Sequence, residues 1–124
     1  MYQTPKMSNP INRMSVWISK DFQNPELGIL PPNSFVVAAH LHVTEAFNSD
    51  GTDFIQCGYD ADQDFVFANT DVSTTGVKSG GLGAASGYNS TARRLEVYYS
   101  NGGSEPTTGK AFVIVEYMRV SKQP

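Results

Sequence analysis

The sequence predicts an all-β protein: an antiparallel β-sandwich or jelly-roll with an extended N-terminal arm and long Gly/Ser-rich loops. Three observations carry this. Apolar residues recur with period two rather than 3.6, the mark of strands with one face buried. Val, Phe and Tyr supply the apolar content while Leu is scarce, a composition suited to a pleated surface. Eleven glycines and seven prolines break the 124 residues at short intervals, which is hairpin spacing. One domain is expected at this length, and it buries roughly two-thirds of its unfolded surface without a metal or disulfide.

Residues 1–13 hold Pro5 and Pro10 without periodicity and read as an extended arm, with 14–120 as the single sandwich domain and 121–124 as a tail. MSVWISK (14–20) alternates Met14, Val16 and Ile18 against Ser15, Trp17 and Ser19, a half-buried strand. Residues 21–34 carry three prolines and Gly28 and read as a loop, with Pro31-Pro32 forcing an extended path into the next strand. In SFVVAAHLHVTEAF (34–47) unbroken alternation puts Phe35, Val37, Ala39, Leu41 and Val43 on one face, and Val36, Ala38, His40, His42 and Thr44 on the other. Asp50-Gly51 is a hairpin signal, and TDFIQCGY (52–59) is the returning strand. DADQ (60–63) turns again into DFVFAN (64–69). Residues 70–91, rich in Gly and small hydroxyl residues, read as a long surface loop. In 92–100, Leu95, Val97 and Tyr99 face inward against Arg94, Glu96 and Tyr98. NGGSEPTTG (101–109) is a loop. KAFVIVEYMRV (110–120) is nearly continuously apolar, which places it centrally in a sheet or at a subunit contact.

Charge and motifs narrow the function. The net charge is -3, the pI about 5.2, and no basic stripe exists to follow a phosphate backbone, so nucleic acid is not an expected partner. The N-terminus has no continuous apolar stretch of the signal-peptide kind, and no apolar run approaches membrane-spanning length, so no membrane partner is expected. The single Cys57 forms no intramolecular bridge, fits a reducing compartment, and reads as a buried, inert thiol.

The acids raise the question of a metal. Asp60, Asp62 and Asp64 have the spacing that opens an EF-hand loop, but the sixth position, where that loop needs glycine for its bend, is Phe65, and the flanks are strands. They read as a solvated turn. His40 and His42 lie two apart on one strand, so their imidazoles point the same way and are able to share a metal if another strand supplies a third ligand. At a subunit contact such a pair is pH-sensitive, because imidazole titrates near neutrality. Neither a GxSxG elbow nor a phosphate loop is present. No cofactor is expected, and the chain is not expected to be an enzyme. Trp17, Tyr59, Tyr88, Tyr98, Tyr99 and Tyr117 suit either sugar stacking or a protein interface. The interface candidates are Tyr2, Pro5 and Pro10 in the arm, Trp17, and Phe112, Ile114 and Tyr117 in the last strand.

Three phrases carry a family resemblance: GILPPNSFVVAAHLHVTEAFNSDGTDFIQCGYDADQDFVFA, a small-residue stretch with TTG, and TTGKAFVIVEYMRV. Across residues 27–120 the sequence resembles small structural proteins of tailed bacteriophages, with their proline-containing lead-in, EAFN-like and GYDAD-like turns and closing apolar strand. The resemblance implies a β-sandwich virion protein, and no catalytic residue transfers with it. The expectation is a capsid decoration, or cement, protein that binds the major capsid protein and itself as a dimer or trimer, located on the capsid surface after assembly in the host cytoplasm. The alternative is a carbohydrate- or receptor-binding module of a head fibre, tail fibre or spike.

Overall fold

The structure is a computed structural model that describes residues 10–78 and 81–120. Its strands are β1 (Ile11–Ser19), β2 (Glu26–Leu30), β3 (Ser34–Glu45), β4 (Asp53–Tyr59), β5 (Asp62–Asp71), β6 (Gly76–Lys78), β7 (Arg93–Asn101) and β8 (Lys110–Arg119), with one 3-10 turn at Ala84–Ser86. They form two four-stranded antiparallel sheets, in the orders β1-β8-β3-β6 and β2-β7-β4-β5. The pairs β1:β8, β2:β7, β3:β6 and β4:β5 are those of one long antiparallel ribbon folded at β4–β5. Rolling that ribbon sends alternate pairs to opposite sheets, and β3:β8 and β4:β7 close them. This is the jelly-roll topology.

Two of these strands lie inside segments that read as loops in the sequence. β2 is bounded by Pro25 and Pro31, and Gly28 at φ 150° and a bulge after Glu26 interrupt its alternation. β6 is only three residues long within the Gly/Ser-rich stretch. That stretch is also less of a surface loop than its composition suggests: Val72 and Ala85 are fully buried, and the Gly83 N–H donates to the Val66 carbonyl at 2.8 Å. β1 begins at Ile11, three residues before the expected strand, while Tyr2, Pro5 and the 121–124 tail lie outside the described residues.

The core between the sheets is built from Ile18, Leu30, Val36, Leu41, Val43, Ile55, Val66, Leu95, Val97, Val113 and Val115, with Phe47 closing one end. Cys57 lies among them, fully buried, and desolvation pushes its thiol up to about 12. Packing between the sheets is close: the space bounded by Ala39, Leu41, Phe67, Thr70 and Lys78 is about 10 Å³, room for a single water.

β3 is bulged against β8 at two places, after Val36 and after Val43, and the first changes the sequence reading of its alternation. A bulge shifts its register against β8 between Val36 and Ala38, so Val36 pairs with Tyr117 and Ala38 with Glu116. Two residues of β3 there face one of β8, and the side-chain parity switches. Ser34 and Val36 point inward before the bulge, and Leu41 and Val43 point inward after it with Ala39 packed against the core. Phe35 therefore does not share the face of Leu41, and Val37 is the bulge residue with no β8 partner of its own. His40 and His42 face outward.

Candidate functional site

The Asp60, Asp62 and Asp64 motif resolves into a hairpin. Asp60 is exposed in the β4–β5 turn, and Asp62 and Asp64 follow on β5. A hydrogen bond with Asp64 raises the Asp62 carboxyl above its ordinary value, since the neighbouring carboxylate stabilises a proton held between the two and repels a second negative charge. Arg93 lies over the Tyr59 ring at 4.4 Å, and its charge acts on Asp62 in the opposite sense. Among the described residues no group of three or more His, Cys, Asp or Glu gathers as a metal would require. The β4–β5 hairpin is tight enough that a Cβ at Gly58 would lie 2.2 Å from the Asp62 carbonyl oxygen.

The EAFN and TTG phrases, 60 residues apart in sequence, are one structural clamp. The Asn48 side-chain oxygen accepts from the N–H groups of Thr107 and Thr108 at 2.8 and 2.9 Å. Glu45 accepts from the Gly109 N–H at 2.9 Å, and the Thr108 hydroxyl donates to the Ala46 carbonyl at 2.8 Å. Gly109, at φ 143°, presses on the Phe47 ring, and no side chain fits there. Beneath the clamp, Asp53 is 1% exposed. Its carboxylate accepts the Tyr99 hydroxyl and the Ser49 N–H. Burial first, then this contact with Asp53, raises the Tyr99 phenol well above its usual range.

The residues that sequence reasoning marked as ligands or anchors meet elsewhere, on the outer face of the β1-β8-β3-β6 sheet. Register aligns Trp17, Phe112, His42 and Val77 in one row across all four strands. Trp17 packs on Phe112 with ring centroids 5.0 Å apart, and His42 stacks on the other side of Phe112 at 5.2 Å and 13°. Ile114 belongs to the next row, beside Ser15 and His40. In the third row, Glu116 holds Arg13 Nε at 2.7 Å and also reaches back to His40 Nε2 at 3.1 Å. Hydrogen bonds from His40 and then Arg13 lower the Glu116 carboxyl below the usual glutamate range. Ile11, Met118 and Phe35 form the fourth row.

This face is apolar at both ends and ionic in the middle. Trp17 is 56% exposed, Ile11 53% and Val77 66%. A shallow apolar groove of about 310 Å³ adjoins it, lined by Trp17, Ile18, Ser19 and Lys110. The outer face of the other sheet is polar on β4 and β7, with Gln56, Arg94, Glu96, Tyr98 and Ser100, and carries the exposed Ile29 of β2 beside Arg94.

The histidine pair does not converge. His40 engages Glu116 and His42 engages Phe112, each with its own partner. Tyr117 points away from the other interface candidates of β8 and packs against the core. Tyr99 is buried, Tyr59 sits edge-on to Phe65, and Tyr88 is exposed with its hydroxyl on Asn33. The aromatics that suit sugar stacking are thus spread over several surfaces. Phe35, Val77 and Met118 were missed as members of the outer face. The parity of Met118 with Phe112 and Ile114 was legible in β8, whereas Phe35 and Val77 depended on the bulge and on the unread β6.

Fold and surface together define a small jelly-roll whose exposed chemistry is a broad apolar sheet face. No protein-family model and no curated protein matches the sequence. Among solved structures it is similar to a chain in the capsid asymmetric unit of cyanophage Pam1, with 13% identity, a TM-score of 0.67, and coverage of 97% of this chain and 92% of that one.

Proposed function

We propose that this protein is a structural component of a tailed-phage virion: a decoration protein that binds the major capsid protein on the outside of the shell and has no catalytic role. The observation that carries this reading is the likeness to a cyanophage capsid chain over nearly the whole of both chains. The docking surface is the outer face of β1-β8-β3-β6. Three long strands and a short fourth present on the order of 400 Å² at ordinary strand spacing, apolar at its two ends and ionic between them. Trp17 is the exposed anchor and the half-buried Phe112 supports it, since an aromatic held on a rigid sheet loses little entropy on burial. The Arg13–Glu116–His40 cluster would set orientation more than affinity.

The test is co-sedimentation of the purified chain with shells of the major capsid protein encoded in the same genome. Saturable binding is expected, lost in the double variant Trp17→Ser, Phe112→Ser while its thermal unfolding stays cooperative. Absence of binding to shells overturns the proposal. The second reading, a glycan- or receptor-binding module of a fibre or spike, draws on Trp17 standing beside the Lys110 groove. A glycan-array signal abolished by Trp17→Ala, without shell binding, would establish it instead.

A further inference from the structure

Strand edges are where a sandwich invites partners, and three of the four edges here are blunted. β2 is five residues long with a bulge, between Pro25 and Pro31. β6 is three residues. β5 carries Asp62, Asp64 and Asp71, and Leu82 and Gly83 bond to its Phe67 and Val66 positions. Short strands, prolines, charges and covering loops are the devices that keep edges from pairing. β1 carries the fewest of them, one charge and a loop bridge from Phe22 at its last residue. It pairs with β8 through nine consecutive residues without a bulge, contains no proline, and bears Arg13 as its single charge.

The direction of its free backbone groups follows from the strand's end. Ser19 exchanges both backbone hydrogen bonds with Phe22, away from β8, while the Lys20 N–H reaches the Gly109 carbonyl next to β8. Alternation along an antiparallel strand then turns the N–H and C=O groups of Trp17, Ser15 and Arg13 to the open side. Among the described residues no backbone bonds them there.

We infer that β1 is a homodimer seam: two copies pair their β1 strands antiparallel about a two-fold axis at Ser15, joining two four-stranded sheets into one of eight. The sequence of the strand is self-complementary in that register. Ser15 faces its own copy, Arg13 faces the partner's Trp17, and Met14 faces the partner's Val16. No like charges oppose one another, and a guanidinium lies across an indole, a favourable cation–π pairing. Arg13 spends Nε on Glu116 and is still 69% exposed, so its planar end is available to that indole. On the inner side Met14 and Val16, already packed against the core, extend the apolar layer across the seam. Phe22, whose backbone sits opposite Ser19, ends the ladder and fixes its length at Arg13–Trp17. A register shift by two residues keeps a two-fold axis, at Met14 or Val16, but puts Arg13 opposite Ser15 or Ser19 and loses the guanidinium–indole pairing.

The axis stands perpendicular to the sheet, so both outer faces lie on the same side. That consequence rests on the decoration reading, and it doubles the docking surface. The seam itself stands apart from that reading and is tested without shells.

Sedimentation equilibrium of the purified full chain is expected to show a monomer–dimer equilibrium. Ser15→Pro removes an N–H that points to the open edge and spares the β1–β8 ladder, the position where an edge strand tolerates proline. With two seam hydrogen bonds gone, its dissociation constant is expected to rise at least about tenfold. Ser15→Cys supplies the second measurement. Directly opposed residues of a hydrogen-bonded pair have Cα atoms about 5.5 Å apart, within disulfide reach. Mild oxidation is expected to yield a disulfide-linked dimer from Ser15→Cys and none from the wild type, whose Cys57 is buried. A strictly monomeric wild type, a trimer, or a dimer in which Ser15→Cys stays reduced overturns the inference. Loss of shell binding with an intact dimer would instead count against the decoration reading alone.

Discussion

At the scale of single residues, burial sets the chemistry of Cys57 and of the Asp53–Tyr99 pair. Cys57 lies on the inward face of β4 with no exposed area, and desolvation of the thiolate holds it protonated at ordinary pH. A thiol reagent at pH 8 is expected to leave the native chain unlabelled and to modify Cys57 fully once urea unfolds it. Labelling at the same rate in both states would contradict the core placement. Asp53 and Tyr99 are the second case. The Tyr99 hydroxyl satisfies a carboxylate that water does not reach, so Tyr99→Phe leaves that oxygen with fewer donors. A loss of about 1–3 kcal/mol is expected from urea titration, the usual cost of stranding a buried acceptor. The sequence showed Tyr99 facing inward from its alternation with Arg94, Glu96 and Tyr98. It showed nothing of the partner, because Asp53 looks like any turn acid beside Asp50-Gly51 until β4 and β7 are aligned.

At the scale of elements, the bulge in β3 decides which residues meet. With unbroken alternation, Phe35 and Val37 share a face with Leu41. One extra residue at Val37 reverses parity, so Phe35 joins His40, His42 and the outward residues of β8. The Arg13–Glu116–His40 cluster then spans three strands, and it makes stability depend on acid. The Glu116 carboxyl titrates lower in the folded protein than in the unfolded chain. Its contribution is therefore complete above the ordinary glutamate value of about 4.3 and disappears as the pH falls through the depressed folded value. Urea midpoints measured from pH 7 down to pH 3 are expected to show the wild type's advantage over Glu116→Gln shrinking below that range. A constant gap across the series would show that the ion cluster contributes nothing. Strands β1, β3, β4, β5, β7 and β8 were legible because each carries enough alternating apolar residues to bury a face. β2 and β6 were not, since glycine, proline and brevity erase the pattern. Their pairing is set by neighbouring strands already in place.

At the scale of the whole molecule, the two outer faces differ, and the difference selects the surface on which docking is tested. One is largely polar and the other a band of aromatic and aliphatic side chains around an ionic centre. Trp17 is the sole tryptophan and stands in that band, so its fluorescence reports on the surface directly. The free chain is expected to emit as a largely solvated indole quenched readily by iodide, and docking on a shell is expected to shift the emission to the blue and protect it. Emission unchanged by bound shells would move the docking surface off this face.

The sequence by itself determined that the chain is sheet-built, that its thiol is buried, and which side chains face inward where no bulge intervenes, because period-two patterning and composition are local properties of each strand. Only the tertiary structure decided that eight strands roll into a jelly-roll, that the two histidines part to different partners, and that Trp17, Phe112 and His42 form one row. Those facts depend on strand register, which a single bulge changes and which is fixed only when distant segments pair.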